Sequence, residues 1–276
     1  MTTLSPVALD VPVPLGASEP RRRDVMRAEW TKLRTIRSTG WTLLTVLVGT
    51  IAIGALICEA VVSRWDQMSA IDQANFDPTF RSLTGLFIAQ IAIGVLGVLA
   101  ITSEYATGMI RSTLAAVPAR RLVLAAKGVA LAAPAILVST VTCVAAFLTG
   151  QAILATKGIG VSITGPGELR AVMGGGLYLT VMALFALGLG AIFRRTAGAV
   201  TAFICLVLVA PVIVGALPKP WGPDIQKYLP GNAGQAILNV HATSGSLSPW
   251  AGFAVLSAWA AAALALGAWL ITHRDA

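Results

Sequence analysis

The segment from residue 101 to residue 127 holds the residues with the clearest capacity for polar chemistry in this sequence. It reads ITSEYATGMIRSTLAAVPARRLVLAAK, and long apolar runs flank it on both sides. Only 12% of the chain is charged, yet this segment holds five charged residues: Glu104, Arg111, Arg120, Arg121 and Lys127. No cluster of His, Asp or Glu accompanies them, as acid–base or metal chemistry would require. The segment therefore predicts a contact surface rather than a catalytic centre.

Apolar residues within this segment recur at the spacing of one helix face. Ile110, Leu114 and Val117 follow i, i+4, i+7 spacing, whereas Glu104 and Arg111 share the opposite side. The pattern predicts a short amphipathic helix over about residues 107–118. Its stripe is expected to face a partner protein and not the core of this chain. A helix resting on lipid headgroups has the same pattern and stays an open alternative.

The end of this helix and the start of the next apolar run are also marked in the sequence. Pro118 stops the helix, and Arg120 and Arg121 then stand at the membrane surface. Lys127 lies about one and a half turns into the apolar run, where its stem can reach back to the headgroups. Contact of Lys127 with the partner is the alternative.

Other reactive groups in the sequence indicate no catalysis. The pattern G-x-x-x-x-G-K-[ST] does not occur, so any ATP-driven function requires a second polypeptide. His241 and His273 are isolated, and the three cysteines fall inside apolar runs, where packing is their expected role. Glu59 falls at the end of a run and not at its middle, so no proton relay is indicated. We predict no catalytic residue, no cofactor and no metal in this chain.

Membrane helices must position the polar segment. The chain is 56% hydrophobic, against about 45–50% in soluble domains, and a bilayer core is crossed by about 20 apolar residues as helix. We predict an all-α, polytopic integral membrane protein with six transmembrane helices. Their approximate ranges are 41–62, 83–103, 122–149, 171–193, 196–217 and 250–272.

Basic residues assign the sides of the membrane, because Lys and Arg concentrate in cytoplasmic loops. With the amino terminus inside, fourteen basic residues are cytoplasmic, and these are Arg21, Arg22, Arg23, Arg27, Lys32, Arg34, Arg37, Arg111, Arg120, Arg121, Lys127, Arg194, Arg195 and Arg274. Six are outside, namely Arg64, Arg81, Lys157, Arg170, Lys219 and Lys227. Both termini are therefore predicted to be cytoplasmic, and basic charge beside membrane spans argues against nucleic acid as a partner.

The region before the first span divides into an arm and a helix. Residues 1–23 are rich in proline and are predicted to be a disordered cytoplasmic arm. Over about residues 24–38 an apolar face recurs at helical spacing, and it consists of Met26, Trp30, Leu33 and Ile36. This predicts an interfacial helix on the inner leaflet, although Glu29 and Arg37 fall on or near its apolar side. A plain basic flank that orients the first span is the alternative.

Three stretches together carry a resemblance to a known family. EWTKLRTIRSTGWTLL precedes the first span, SEYATGMIRSTLAAVPARRLVLAAK follows the second, and YLPGNAGQAI precedes the last. Together they resemble the ABC-2 type permease family, the membrane subunits of ATP-binding-cassette exporters. The resemblance implies that the loop after the second span is the coupling helix, which docks in a groove of the ATPase subunit. The positions that match are Glu104, Gly108, Arg111, Pro118, Arg120, Arg121 and Lys127.

The resemblance implies partners and a function as well. A separate ABC ATPase subunit binds ATP and Mg, a second permease subunit completes a homodimer or heterodimer, and the complex resides in the bacterial cytoplasmic membrane. The outer segment, residues 218–249, is expected to form short helices at the outer leaflet, and an ordinary exposed loop is the alternative. The predicted function is export of a hydrophobic or amphipathic substrate. A membrane-embedded lipid or isoprenoid enzyme and a non-transporting scaffold are the alternatives.

Overall fold

The computed structural model describes residues 22–35, 37–117, 119–219, 221–240 and 245–273 of the chain. Every regular element in these ranges is a helix, and no strand occurs in them. Nearly all of the predicted N-terminal arm, residues 1–23, lies outside the described residues. Pro118, His241 and the last three residues lie outside them as well.

Thirteen α-helices, numbered in chain order, form the described part of the chain. They are α1 (Arg22–Thr35), α2 (Arg37–Arg64), α3 (Ala70–Ala74), α4 (Pro78–Ser82), α5 (Leu86–Ala106), α6 (Met109–Ala116), α7 (Arg120–Leu154), α8 (Glu168–Phe193), α9 (Thr196–Ile204), α10 (Ala210–Gly215), α11 (Trp221–Gln226), α12 (Pro230–Gln235) and α13 (Pro249–His273). In these ranges, six stretches are long and apolar enough to cross a membrane: α2, α5, α7, α8, α9 continuing into α10, and α13. Each overlaps one of the six predicted spans.

Helix α8 lies at the centre of the bundle and packs against α5, α7 and α13. Of the residues in its apolar stretch, 72% are buried, compared with 17% for Thr196–Gly215. Small residues allow this close approach. A Cβ added at Gly188 would lie 2.7 Å from the backbone of Ala263 on α13, and one added at Gly267 would lie 2.7 Å from the Ala191 side chain. Close helix packing is therefore the role of these small residues.

The fifth span is not a uniform α-helix. Between α9 and α10 the backbone forms a π-helical turn, Cys205–Val209, and Pro211 follows in the first turn of α10. Proline has no backbone N–H, so the backbone hydrogen bonds of the helix around it must adjust. The Gln226 side chain donates a 3.1 Å hydrogen bond to the carbonyl of Pro211. The irregular span is thus tied to α11.

The segment before the last span is folded into the bundle. Helix α12 and the 3₁₀ turn after it are largely buried, including Ala233, Ile237 and Leu238. Arg170, at the start of α8, donates hydrogen bonds of 3.1 Å and 2.9 Å to the carbonyls of Ile237 and Asn239. Short helices thus form residues 221–226, 230–235 and 236–238 of this segment.

Candidate functional site

The polar segment forms the connection between α5 and α7. Helix α5 ends at Ala106, and Gly108 then turns the chain with a φ of +71°, a left-handed conformation that glycine adopts at no steric cost. Helix α6 follows, within the predicted range of residues 107–118. Val117 is extended, and α7 begins at Arg120.

The apolar stripe of α6 faces this chain's own core. Ile110 is 4% exposed and Val117 is 9% exposed. The half-buried Leu114 packs with Val117 against Val25 of α1 and Val123 of α7. The expectation of a stripe free for a partner is therefore wrong for Ile110 and Val117, because both are buried within this chain. Val117 is covered by α1 and α7.

Four charged residues meet beside this packed stripe, and we call them the ion-pair cluster: Glu29 and Lys32 of α1, Glu104 of α5 and Lys127 of α7. The Lys127 ammonium lies 2.7 Å from Glu29 Oε2 and 2.6 Å from Glu104 Oε1. The Lys32 ammonium lies 2.8 Å from Glu29 Oε1 and 2.9 Å from Glu104 Oε1. Two carboxylates and two ammonium groups thus join three helices with no net charge.

Three members of the ion-pair cluster are almost fully enclosed. The side chains of Glu29, Glu104 and Lys127 are 5%, 4% and 3% exposed, whereas Lys32 is 31% exposed. Partial burial alone would lower the pKa of Lys32, but hydrogen bonds to Glu29 and Glu104 outweigh it and raise this pKa above the ordinary value of 10.5. Glu104 Oε2 is buried and has no hydrogen-bond partner in the described part of the chain.

Two predictions are corrected by the ion-pair cluster. Glu104 was expected on the side opposite the apolar stripe, and Lys127 was expected to extend to the headgroups. Both are instead enclosed by the helix bundle, and they pair with each other because a buried charge without a counter-charge is costly. Glu104 and Lys127 therefore hold the connection in place from inside.

Arg120 and Arg194 hold the end of the last span. Arg120 Nη1 donates a 3.0 Å hydrogen bond to the carbonyl of Ile271, and Arg194 Nη2 donates one of 3.0 Å to that of Leu270. The carbonyl end of a helix carries partial negative charge and leaves acceptors unpaired, so cations stabilise it. Arg120, a predicted coupling residue, thus contacts α13.

The opposite face of α6 is open. Met109 is 46% exposed, and Arg111, Ser112 and Ala116 are exposed as well. Arg121, at the start of α7, is also exposed. We call these five residues the α6 surface. Of the residues predicted to contact a partner, Arg111 and Arg121 are therefore accessible, together with Gly108.

Helix α1 presents two different sides. Val25 and Glu29, one turn apart, are buried against the bundle, whereas Met26 and Trp30 are exposed. The side chain of Leu33 and residue Ile36 lie outside the described part of the chain. The sequence pattern missed the roles of Glu29 and Lys32. One feature of the sequence could have revealed them: Glu29 falls on the apolar side of the helix. A carboxylate at such a position is buried on packing and then needs a basic partner.

Comparison with known families covers nearly all of these elements. A family model described as ABC-2 family transporter protein matches residues 27–276, which include most of α1 and all of the helices after it. The chain belongs to the ABC-2 transporter family. In a comparison with curated proteins, no sequence matches the chain. With six apolar helices among its described residues, this ABC-2 protein is a multi-pass membrane protein and a component of membrane transport.

Proposed function

We propose that this ABC-2 protein is the permease subunit of an ATP-driven exporter. A separate ABC ATPase subunit binds and hydrolyses ATP with Mg, and the permease provides the path for a hydrophobic or amphipathic substrate. The complex resides in the bacterial cytoplasmic membrane. Family membership and the six apolar helices support this proposal.

The observation that carries the proposal is the way α6 is fastened to the spans. Leu114 and Val117 of its apolar stripe pack on α1 and α7, and the ion-pair cluster ties the end of α5 to the start of α7. Ion pairs enclosed in a low-dielectric interior resist separation, because each separated charge would be left unpaired. A force applied to α6 is therefore passed to the second and third spans and is not absorbed by a loose loop.

The α6 surface is the docking face for the ATPase subunit in this proposal. Met109, Ser112 and Ala116 are spaced so that they lie on one exposed side of the helix, and Arg111 and Arg121 flank it with positive charge. A short helix of this kind fits a groove that offers apolar contacts and carboxylates at its rim. The partner's groove is therefore expected to be acidic at the edges.

A second permease subunit completes the transport path in this proposal. The fifth span is the least buried in the described bundle, and its outward residues are apolar, including Val209, Val212 and Ile213. Apolar outward faces suit both contact with another permease subunit and contact with hydrophobic substrates. Either a homodimer or a heterodimer satisfies this requirement.

Reconstitution tests the proposal. The chain is co-expressed with an ABC ATPase subunit that co-purifies with it, and ATP hydrolysis and efflux of a fluorescent amphipath are measured in proteoliposomes. We expect both activities from the complex and neither from the chain alone. A complex whose ATPase lacks its phosphate-loop lysine is the matched control. Hydrolysis by the chain alone, free of other subunits, or efflux that persists in the control would contradict the proposal.

A further inference from the structure

A groove lies between the exposed side of α1 and the third span. It has a volume of about 510 Å³, within the range of about 300–1,000 Å³ typical of ligand clefts. We call it the α1–α7 groove, and it is lined by Arg23, Met26, Arg27 and Trp30 of α1 and by Val129 and Ala133 of α7. Its walls are mainly apolar, and its charged groups all come from α1.

The two arginines of the groove share one side of α1. Arg23 and Arg27 are four residues apart, so their side chains are neighbours on the helix surface, and both are exposed. Within the described part of the chain neither guanidinium forms an ion pair. Glu29 is turned into the ion-pair cluster, and the exposed Asp24 beside Arg23 forms no ion pair with either guanidinium in the described residues.

The apolar walls place the groove beside acyl chains. Val129 and Ala133 lie one turn apart on the outward side of α7, within a stretch long and apolar enough to span a membrane. Trp30 adds a side chain that is typical of the membrane interface. A ligand here must combine an apolar tail with a charged head. Guanidinium groups bind phosphate oxygens with paired hydrogen bonds, so an anionic phosphate head suits the two arginines.

We propose that the α1–α7 groove binds one anionic phospholipid. Arg23 and Arg27 hold its phosphate, and an acyl chain lies along Met26, Val129 and Ala133. The cytoplasmic leaflet, where the basic residues place α1, is the anionic leaflet. A bound lipid would brace α1 against α7 next to the ion-pair cluster. This inference concerns lipid binding by the permease itself and does not depend on ATP-driven export.

Lipid binding to the purified full chain in detergent tests the proposal. Native mass spectrometry measures the affinity for phosphatidylglycerol and for phosphatidylcholine, and thermal unfolding measures stabilisation by each lipid and by inorganic phosphate. We expect a preference for phosphatidylglycerol in the wild type. Each arginine near a membrane surface contributes about fivefold in affinity, so Arg23→Gln with Arg27→Gln should weaken phosphatidylglycerol binding about 25-fold.

Two further variants separate the possible causes. Arg64→Gln with Arg81→Gln removes two exposed arginines elsewhere and should leave the preference unchanged. Ala133→Trp fills the exposed apolar wall and should weaken phosphatidylglycerol binding without changing the response to phosphate. Equal affinity for both lipids, or an equal loss in the control pair, would overturn the proposal. Stabilisation by inorganic phosphate together with unchanged lipid binding in Ala133→Trp would identify a free-phosphate site and would overturn it too.

Discussion

Lys127 of α7 and Glu104 of α5 form a 2.6 Å ion pair between two membrane helices, and both side chains are almost fully buried. Glu29 and Lys32 extend this pair to α1 and balance its charge. The pair sits at the two ends of the connection that contains α6. It therefore sets the position of the part of the molecule that is proposed to meet the ATPase.

Removal of Lys127 should destabilise the permease strongly. In Lys127→Met two buried carboxylates are left with Lys32 as their remaining partner in the cluster, and breaking a buried pair costs about 3–5 kcal/mol. Thermal unfolding in detergent measures the loss. The combination Lys127→Met with Glu104→Gln restores the charge balance and should recover part of it. If Lys127→Met unfolds at the wild-type temperature, the cluster does not stabilise the fold.

The contribution of Lys32 to stability should be lost at alkaline pH. Its pKa is raised above 10.5, so the folded state holds this proton more tightly than the unfolded state does. The contribution is complete below about pH 10.5 and is lost as the pH rises through the raised pKa. The difference in unfolding temperature between wild type and Lys32→Gln should therefore be largest near neutral pH and shrink above about pH 10.5.

The control for this prediction is an exposed ion pair. Lys157 contacts Asp66 at 2.6 Å, but both side chains are open to solvent. Exposed pairs contribute little, about 0–1 kcal/mol, so Lys157→Gln should change the unfolding temperature only slightly at any pH. A difference for Lys32→Gln that grows with rising pH would contradict the assigned direction of the pKa shift.

The two sides of α6 should respond differently to a carboxylate. Met109→Asp places a charge on the exposed side and should reduce co-purification with the ATPase more than tenfold, because an unpaired charge in a contact costs several kcal/mol. The unfolding temperature of the permease alone should not change. Ile110→Asp buries the charge inside the permease and should lower that temperature.

Leu114→Asp belongs with Ile110→Asp, because Leu114 packs on the buried cluster around Val117. If Met109→Asp leaves the complex intact while Leu114→Asp abolishes it without affecting the permease alone, then the apolar stripe docks and the α6 surface does not.

The predicted topology can be checked by single-cysteine labelling in a background that lacks Cys58, Cys143 and the exposed Cys205. Ser69 and Thr156 are exposed and lie on the side with six basic residues, so cysteines there should react with an impermeant reagent added outside. A cysteine at the exposed position 112, in place of Ser112, should react only after the membrane is permeabilised. Outside labelling at Ser112 would exclude α6 from contact with a cytoplasmic ATPase.

Helix packing around α8 should be sensitive to a single methyl group. In Gly188→Ala the new Cβ would lie 2.7–2.8 Å from backbone atoms of Ala263 and Leu264, which cannot move without displacing α13. Overpacking of this kind costs about 1–3 kcal/mol. Gly128→Ala is the matched control, since its nearest neighbours lie at an ordinary distance of 3.7 Å. Equal unfolding temperatures for the two variants would show that α13 adapts freely.

The six apolar spans and the presence of α6 could be predicted from the amino-acid sequence. Both depend on local properties, namely the number of apolar residues in a run and their spacing along a helix. Proline at position 118 likewise marks the predicted end of this helix through its own backbone restriction. A single chain segment contains all of this information, so no neighbouring helix was needed to infer it.

The side of α6 that stays exposed, and the partners of the charged residues around it, follow only from the tertiary structure. A periodic stripe indicates that one side is apolar, but it does not tell whether a partner, the membrane or the same chain covers it. Here Ile110 and Val117 are buried within the same chain, and α1 and α7 cover Val117. Lys127 likewise meets Glu29, 98 positions earlier in the chain, and Arg120 meets Ile271, 151 positions later. These contacts depend on how the helices pack, which is a property of the whole bundle and not of any one segment.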